Sequence, residues 1–201
     1  MVALMHWAPM EPDQRPALCA AQPAVWMLQG QGQHLRAGAR DLLRALLADY
    51  LGTAPEKTPL HFVPGQAPFV DLDWQGMALS ISMSYSQDLA LIAICPGAHI
   101  GIDVTEIAPM PDWAQVAKLY LGVESTARLA AIDGSPRDRM FALEWAELEA
   151  RCKCVGLGLQ EWSPARHRRL HADSIEVRTM PLGSLRSGLT YALALARDSA
   201  R

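Results

Sequence analysis

Between residues 79 and 104 the chain alternates in a way that no helix can use. Leu79-Ser80-Ile81-Ser82-Met83-Ser84 places Leu79, Ile81 and Met83 on one side of an extended strand and three serines on the other. Leu89 to Cys95 is almost wholly apolar, as a central strand covered on both faces would be. Pro96-Gly97 then turns the chain, and His99 to Val104 reads as a third strand. The expectation is an antiparallel meander.

Around this block the period changes. From His34 to Leu51, Leu35, Leu42, Leu43, Leu46, Leu47 and Tyr50 recur at helical spacing, with Gly52 as the stop. Residues Thr53 to Pro68 form a turn-rich connector. Trp113 to Leu121 and Ser125 to Ile132 predict short helices, and Asp138 to Val155 a long one. Further strands are expected at Ala24 to Leu28, Ser174 to Thr179 and Leu189 to Arg197. With 201 residues, half of them hydrophobic, there is core material for one large domain or two small ones. The order of elements predicts an α+β fold with two related lobes, residues 1–98 and 99–201, each a small antiparallel sheet packed with a long helix.

Charge and cysteines narrow the functional classes. A net charge of −3 argues against a dedicated nucleic-acid binder. Cys152-Lys153-Cys154 lacks the spacing of a zinc or redox pair, so Cys19, Cys95, Cys152 and Cys154 are expected as free thiols. No apolar run is long enough to cross a bilayer, and the start MVALMHWAPMEP has no basic leader. A cytoplasmic protein with no membrane partner is the expectation.

The stretch WAELEARCKCVGLGL, residues 145 to 159, concentrates the chemistry. At 100° per residue, Phe141, Trp145, Leu148, Cys152 and Val155 form one stripe, expected to be the buried side. Glu144, Glu147 and Arg151 share one flank. Glu149 and Lys153 share the other, beside Ala142 and Ala146. By helix geometry alone this second pair is equally a solvated i,i+4 ion pair. Asp103, however, emerges among apolar residues at a strand end, in Gly101-Ile102-Asp103-Val104, where burial demands a partner or a cation. Gly101 beside it allows close backbone approach. Together Asp103 and Glu149 supply the one or two carboxylates that Mg²⁺ takes alongside water and phosphate oxygens. Lys153 would face the same phosphates.

These two stretches resemble the signature of the 4′-phosphopantetheinyl transferases, of the larger surfactin-synthetase-activating type. The match runs through Gly101-Ile102-Asp103-Val104, then Phe141, Trp145, Glu149, Ala150, Lys153, Gly156, Gly158 and Leu159. The resemblance implies two pseudo-symmetric lobes with the site in the cleft between them. It also implies transfer of the phosphopantetheine arm of coenzyme A to a serine of an apo acyl or peptidyl carrier protein, with release of adenosine 3′,5′-bisphosphate. Asp103 and Glu149 would hold Mg²⁺, Glu149 would take the serine proton, and Lys153 would offset the charge that develops. Arg36 would reach the coenzyme's phosphates. Ser82 and Ser84 stand on a strand similar to the family's Ile-Ser-His-Ser and would contact the diphosphate. Gly65-Gln66-Ala67-Pro68 is similar to a Gly-Lys-Pro turn near the adenine.

The departures are specific. Met83 replaces the family's histidine, Gln66 a usual lysine, Thr105 a frequent third acidic ligand (leaving it at most a contact through water), and Leu148 another lysine. They keep a second reading open, that of an impaired relative which binds coenzyme A or a carrier without efficient turnover. The basic run Arg166 to His171 is read as a solvated loop or as a surface that steers an acidic carrier.

Overall fold

The computed structural model describes residues 9–181 and 188–197. The elements follow in the order β1 (Ala24–Gln29), α1 (Gly32–Leu51), β2 (Leu60–His61), β3 (Phe69–Val70), β4 (Leu79–Ser86), β5 (Leu89–Pro96), β6 (His99–Glu106), α2 (Trp113–Val116), α3 (Val123–Ala130), α4 (Ser135–Cys154), α5 (Pro164–Leu170), β7 (Ile175–Pro181) and β8 (Leu189–Ala196). The α+β class and its small antiparallel sheets are as expected. Among the described residues one three-stranded sheet has the order β1-β5-β4, a second β6-β8-β7, and β2 pairs with β3.

Strand β5 explains the unbroken apolar run. Its Ala90, Ile92 and Ile94 pack with Trp26, Ile81 and the α1 residues Leu35, Ala39, Leu43, Leu46 and Leu47. Its Leu89, Leu91, Ala93 and Cys95 face the other way, into a core shared with Ile100, Ile102, Val104, Tyr191 and Leu193 of the second sheet. Helix α1 ends where Gly52 takes φ 66° and donates to Ala48 O, a left-handed cap.

The meander is corrected at its third strand. β4 and β5 form a hairpin in register from Leu79 opposite Pro96 to Ser86 opposite Leu89. Both edges of β5 are then taken, by β4 and by β1, so β6 finds its partner in β8 instead. β6 still runs beside β4, and the contact there is made by side chains. Ser80, Ser82 and Ser84 Oγ accept the backbone N–H of Ile100, Ile102 and Val104 at 3.0, 3.0 and 3.2 Å. The three serines that alternation set opposite the leucine face are therefore rungs joining the two sheets.

Helix α4 buries the expected stripe, with Phe141, Leu148 and Cys152 at 5%, 8% and 3% exposure, and a second stripe besides. Ala146, Ala150 and Cys154 lie on the second sheet with Ala192, Ala194 and Ile175. Phe141 packs with Ala117 and Leu129, and Leu148 and Cys152 with Leu170. The helix is thus buried along two stripes, one of small residues and one of large, because α3, α5 and their connections cover its outer side. The run Arg166 to His171 is mostly helical as well. Pro164 opens α5, and Ser163 Oγ accepts Arg166 N–H at 3.2 Å, an N-cap that the reading as a loop missed. The four cysteines are free thiols.

Candidate active site

The small stripe of α4 decides where its charges go. At Gly101 the sheet has no side chain, and the backbone of Ala150 and Cys154 fills the space a Cβ would take. So close an approach lowers the flank carrying Glu149 and Lys153 onto the end of β6. There Lys153 Nζ donates to Asp103 Oδ1 at 2.8 Å and to Ile102 O at 3.0 Å, and stands 4.0 Å from Glu149 Oε2. Two carboxyls 46 positions apart in sequence meet over one ammonium.

Asp103 is 4% exposed, a burial that an unpartnered carboxylate could not sustain. Besides Lys153, it accepts from Ser84 Oγ on Oδ1 and from Thr105 Oγ1 on Oδ2, each at 2.8 Å. Thr105 thus orients Asp103. Glu149 receives the indole N–H of Trp145 on Oε1 at 3.1 Å. Burial first, and then the nearby Asp103 carboxylate, push the Glu149 carboxyl up, with Lys153 opposing. Two acidic groups held this close with one cation beside them favour a second positive charge.

The donor set tests which ion could supply that charge. Among the described residues no group of three or more His, Cys, Asp or Glu is arranged to hold a metal. Softer ions that want a full protein cage are a poor match, whereas Mg²⁺ needs only one or two carboxylates and keeps its remaining positions for water and phosphate. Asp103 and Glu149 fit that requirement.

Two adjoining cavities open onto this point. The smaller, about 430 Å³, is lined by Arg36, Met83, Tyr85, Thr105, Glu106 and Trp145 around Asp103, Glu149 and Lys153. The larger, about 550 Å³, shares Arg36, Met83, Tyr85, Glu149 and Lys153 and runs on past Arg40, Phe62, Gln66 and Pro68 to Gly156, Leu157, Gly158 and Leu159. Gln66 and Arg36 are therefore in one continuous cleft with the carboxylates. Arg36 lies over the Tyr85 ring at 4.5 Å, and Arg40 over Phe62 at 5.0 Å. Arg40 escaped the sequence reading, yet the signal was present. Arg36 and Arg40 each follow a buried position of α1, Leu35 and Ala39, one turn apart. Ser82 lines the larger cavity and Ser84 the smaller, so both border the cleft. Both are buried, 2% and 5% exposed, and their oxygens serve the seam to β6, Ser84 also donating to Asp103.

The fold and cleft define an α+β protein with a carboxylate–lysine centre at the junction of two sheets. Comparison with known proteins gives that class its relatives. The chain is 25% identical over 146 residues to the 4′-phosphopantetheinyl transferase HetI of a Nostoc species, covering 73% of this chain and 62% of that protein. It is 26% identical over 117 residues to a putative 4′-phosphopantetheinyl transferase of a Synechocystis species, 58% of this chain and 47% of the other. Against the L-aminoadipate-semialdehyde dehydrogenase-phosphopantetheinyl transferase of Eremothecium gossypii it is 30% identical over 155 residues, 74% and 53%. The chain thus spans about half to three fifths of the curated relatives it matches. No protein-family profile matches it. The resemblance carried by the two motifs therefore extends over most of the chain.

Proposed function

We propose that this protein is a 4′-phosphopantetheinyl transferase, moving the phosphopantetheine arm of coenzyme A to a serine hydroxyl of an apo carrier protein and releasing adenosine 3′,5′-bisphosphate. The observation that carries this reading is the convergence of Asp103, Glu149 and Lys153 beside a cavity of about 550 Å³ that Arg36 and Arg40 also line. The relatives' names support the same group transfer.

Asp103 and Glu149 would hold Mg²⁺, which when bound neutralises diphosphate charge and polarises the phosphorus under attack. The chain's own residues do the rest. Glu149, beside the bound diphosphate, accepts the proton of the incoming serine hydroxyl. Lys153, fixed by Asp103 and Ile102 O, offsets the negative charge that gathers on the departing phosphate ester. Arg36 and Arg40, on one wall of the cleft, pair with the coenzyme's phosphates. Gln66, with Pro68 and Phe62, borders the nucleotide end. Most of the rate gain is positioning and electrostatics, as in other phosphoryl transfers. The free thiols suit a reducing, cytoplasmic compartment.

Incubation of the protein with coenzyme A, Mg²⁺ and an apo carrier domain, followed by mass spectrometry of the carrier, tests the reading. The expected result is a gain of one phosphopantetheine, lost in Asp103→Ala and Glu149→Ala and kept in Glu147→Ala. No gain from acyl and peptidyl carriers alike, or full rate in Glu149→Ala, overturns it.

A further inference from the structure

We propose that Trp145 is the positioning residue of the centre, its indole N–H fixing the Glu149 carboxyl, and that the π-helical turn Ala117–Leu121 holds the indole in place through Tyr120. This rests on the transferase reading for its kinetic consequence but not for its geometry. A carboxylate on a half-buried helix flank still has several rotamers. Glu149 has one oxygen claimed by Trp145 Nε1 at 3.1 Å, which leaves Oε2 directed toward Lys153. Trp145 lines the cleft, although sequence reading placed it in the core.

The indole is itself held on two sides. Phe141 stacks along it, rings 6.0 Å apart at 12°, and Tyr120 meets it edge-on at 5.7 Å and 80°. Phe141 sits one turn earlier on α4. Tyr120 comes from elsewhere, and its delivery depends on an irregular backbone. Ala117–Leu121 winds as a π-helix, with Gly122 N–H reaching Ala117 O at 2.9 Å. The turn is pinned from outside, where Trp162 N–H donates to Leu119 O at 2.6 Å. One-turn π-helices cost stability and tend to be kept where they aim a side chain. Here the side chain aimed is the one that closes the Trp145 box.

The test uses Trp145→Phe, which keeps the ring stack and removes the N–H. A lost hydrogen bond to a charged group at a reacting centre should lower kcat about tenfold to a hundredfold, with KM for coenzyme A and Tm held near wild type. Tyr120→Leu should lower kcat in the same way, and Tyr120→Phe should not. A second readout is independent of turnover. In the wild-type protein the indole proton that disappears in Trp145→Phe should exchange slowly with solvent by NMR, and should lose that protection in Glu149→Ala. Unchanged kcat in Trp145→Phe, a fall in Tm and rise in KM that accompany the kcat loss, or an indole proton exchanging freely in the wild type would each overturn the proposal. Wild-type protein that transfers no arm yet keeps the protected proton would remove the transferase reading and leave the positioning role supported.

Discussion

Gly101→Ala is the smallest change expected to dismantle the site without touching a charged group. Gly101 lies in the middle of β6, opposite Ala194 of β8, with an ordinary strand conformation, so alanine meets no backbone penalty there. The obstacle is α4. A Cβ at this position would overlap the Ala150 carbonyl oxygen and the Cys154 nitrogen, with the Ala150 carbonyl carbon at 3.1 Å. These are helix backbone atoms and cannot rotate aside. To regain ordinary contact the helix must retreat by on the order of 1 Å. Overpacking of this kind costs about 1–3 kcal/mol, which for a chain of this size lowers Tm by roughly 3–10 °C. The same retreat stretches the 2.8 Å contact from Lys153 to Asp103, and a misplacement of about 1 Å at a reacting centre costs about a hundredfold in rate. Thermal melting and the carrier-loading assay on one preparation measure both effects. A variant that melts within about 1 °C of wild type and keeps its rate would refute the claim that helix–sheet proximity sets the site.

Glu149→Gln should raise Tm at neutral pH without metal. A carboxyl whose folded pKa lies above its unfolded one contributes its full stability below the unfolded value, and loses it as pH rises through the folded value. Wild type should thus lose stability relative to the glutamine variant above pH about 4.3, and the gap should close in acid; a constant gap from pH 4 to 8 would contradict the assignment. Lys153→Met leaves Asp103, 4% exposed, without its cation. It should abolish transfer and destabilise by about 3 kcal/mol, readable by urea denaturation, and unchanged stability would count against a buried ion pair. Ser82→Ala leaves the N–H of Ile102, wholly buried, without its acceptor, at a cost of about 1–3 kcal/mol. If equilibrium unfolding shows no loss, the serine rungs do not hold the sheets together.

Periodicity carried the longer elements. The alternation at Leu79 to Ser84, the apolar run at Leu89 to Cys95 and the helical leucines of α1 are local patterns, and each formed the structure its period required. The carboxylates and lysine were legible too, because Asp103 among apolar neighbours and Glu149 one turn from Lys153 are unusual whatever surrounds them. Partnership was not legible. Hydrogen-bonding edges are identical along every strand, so nothing local told β6 to pair with β8 and not β5, or told Ser80, Ser82 and Ser84 to bridge the two sheets. The second buried face of α4 was missed for a related reason. Hydrophobicity ranks Phe141 and Trp145 above Ala146 and Ala150, yet close packing on a glycine admits only the small residues. Local pattern thus marked the longer strands and helices and the Asp103, Glu149 and Lys153 charges, while α5, the β2–β3 pair and Arg40 went unread. The tertiary structure decided which of them touch, because backbone pairing and steric fit depend on neighbours far away along the chain.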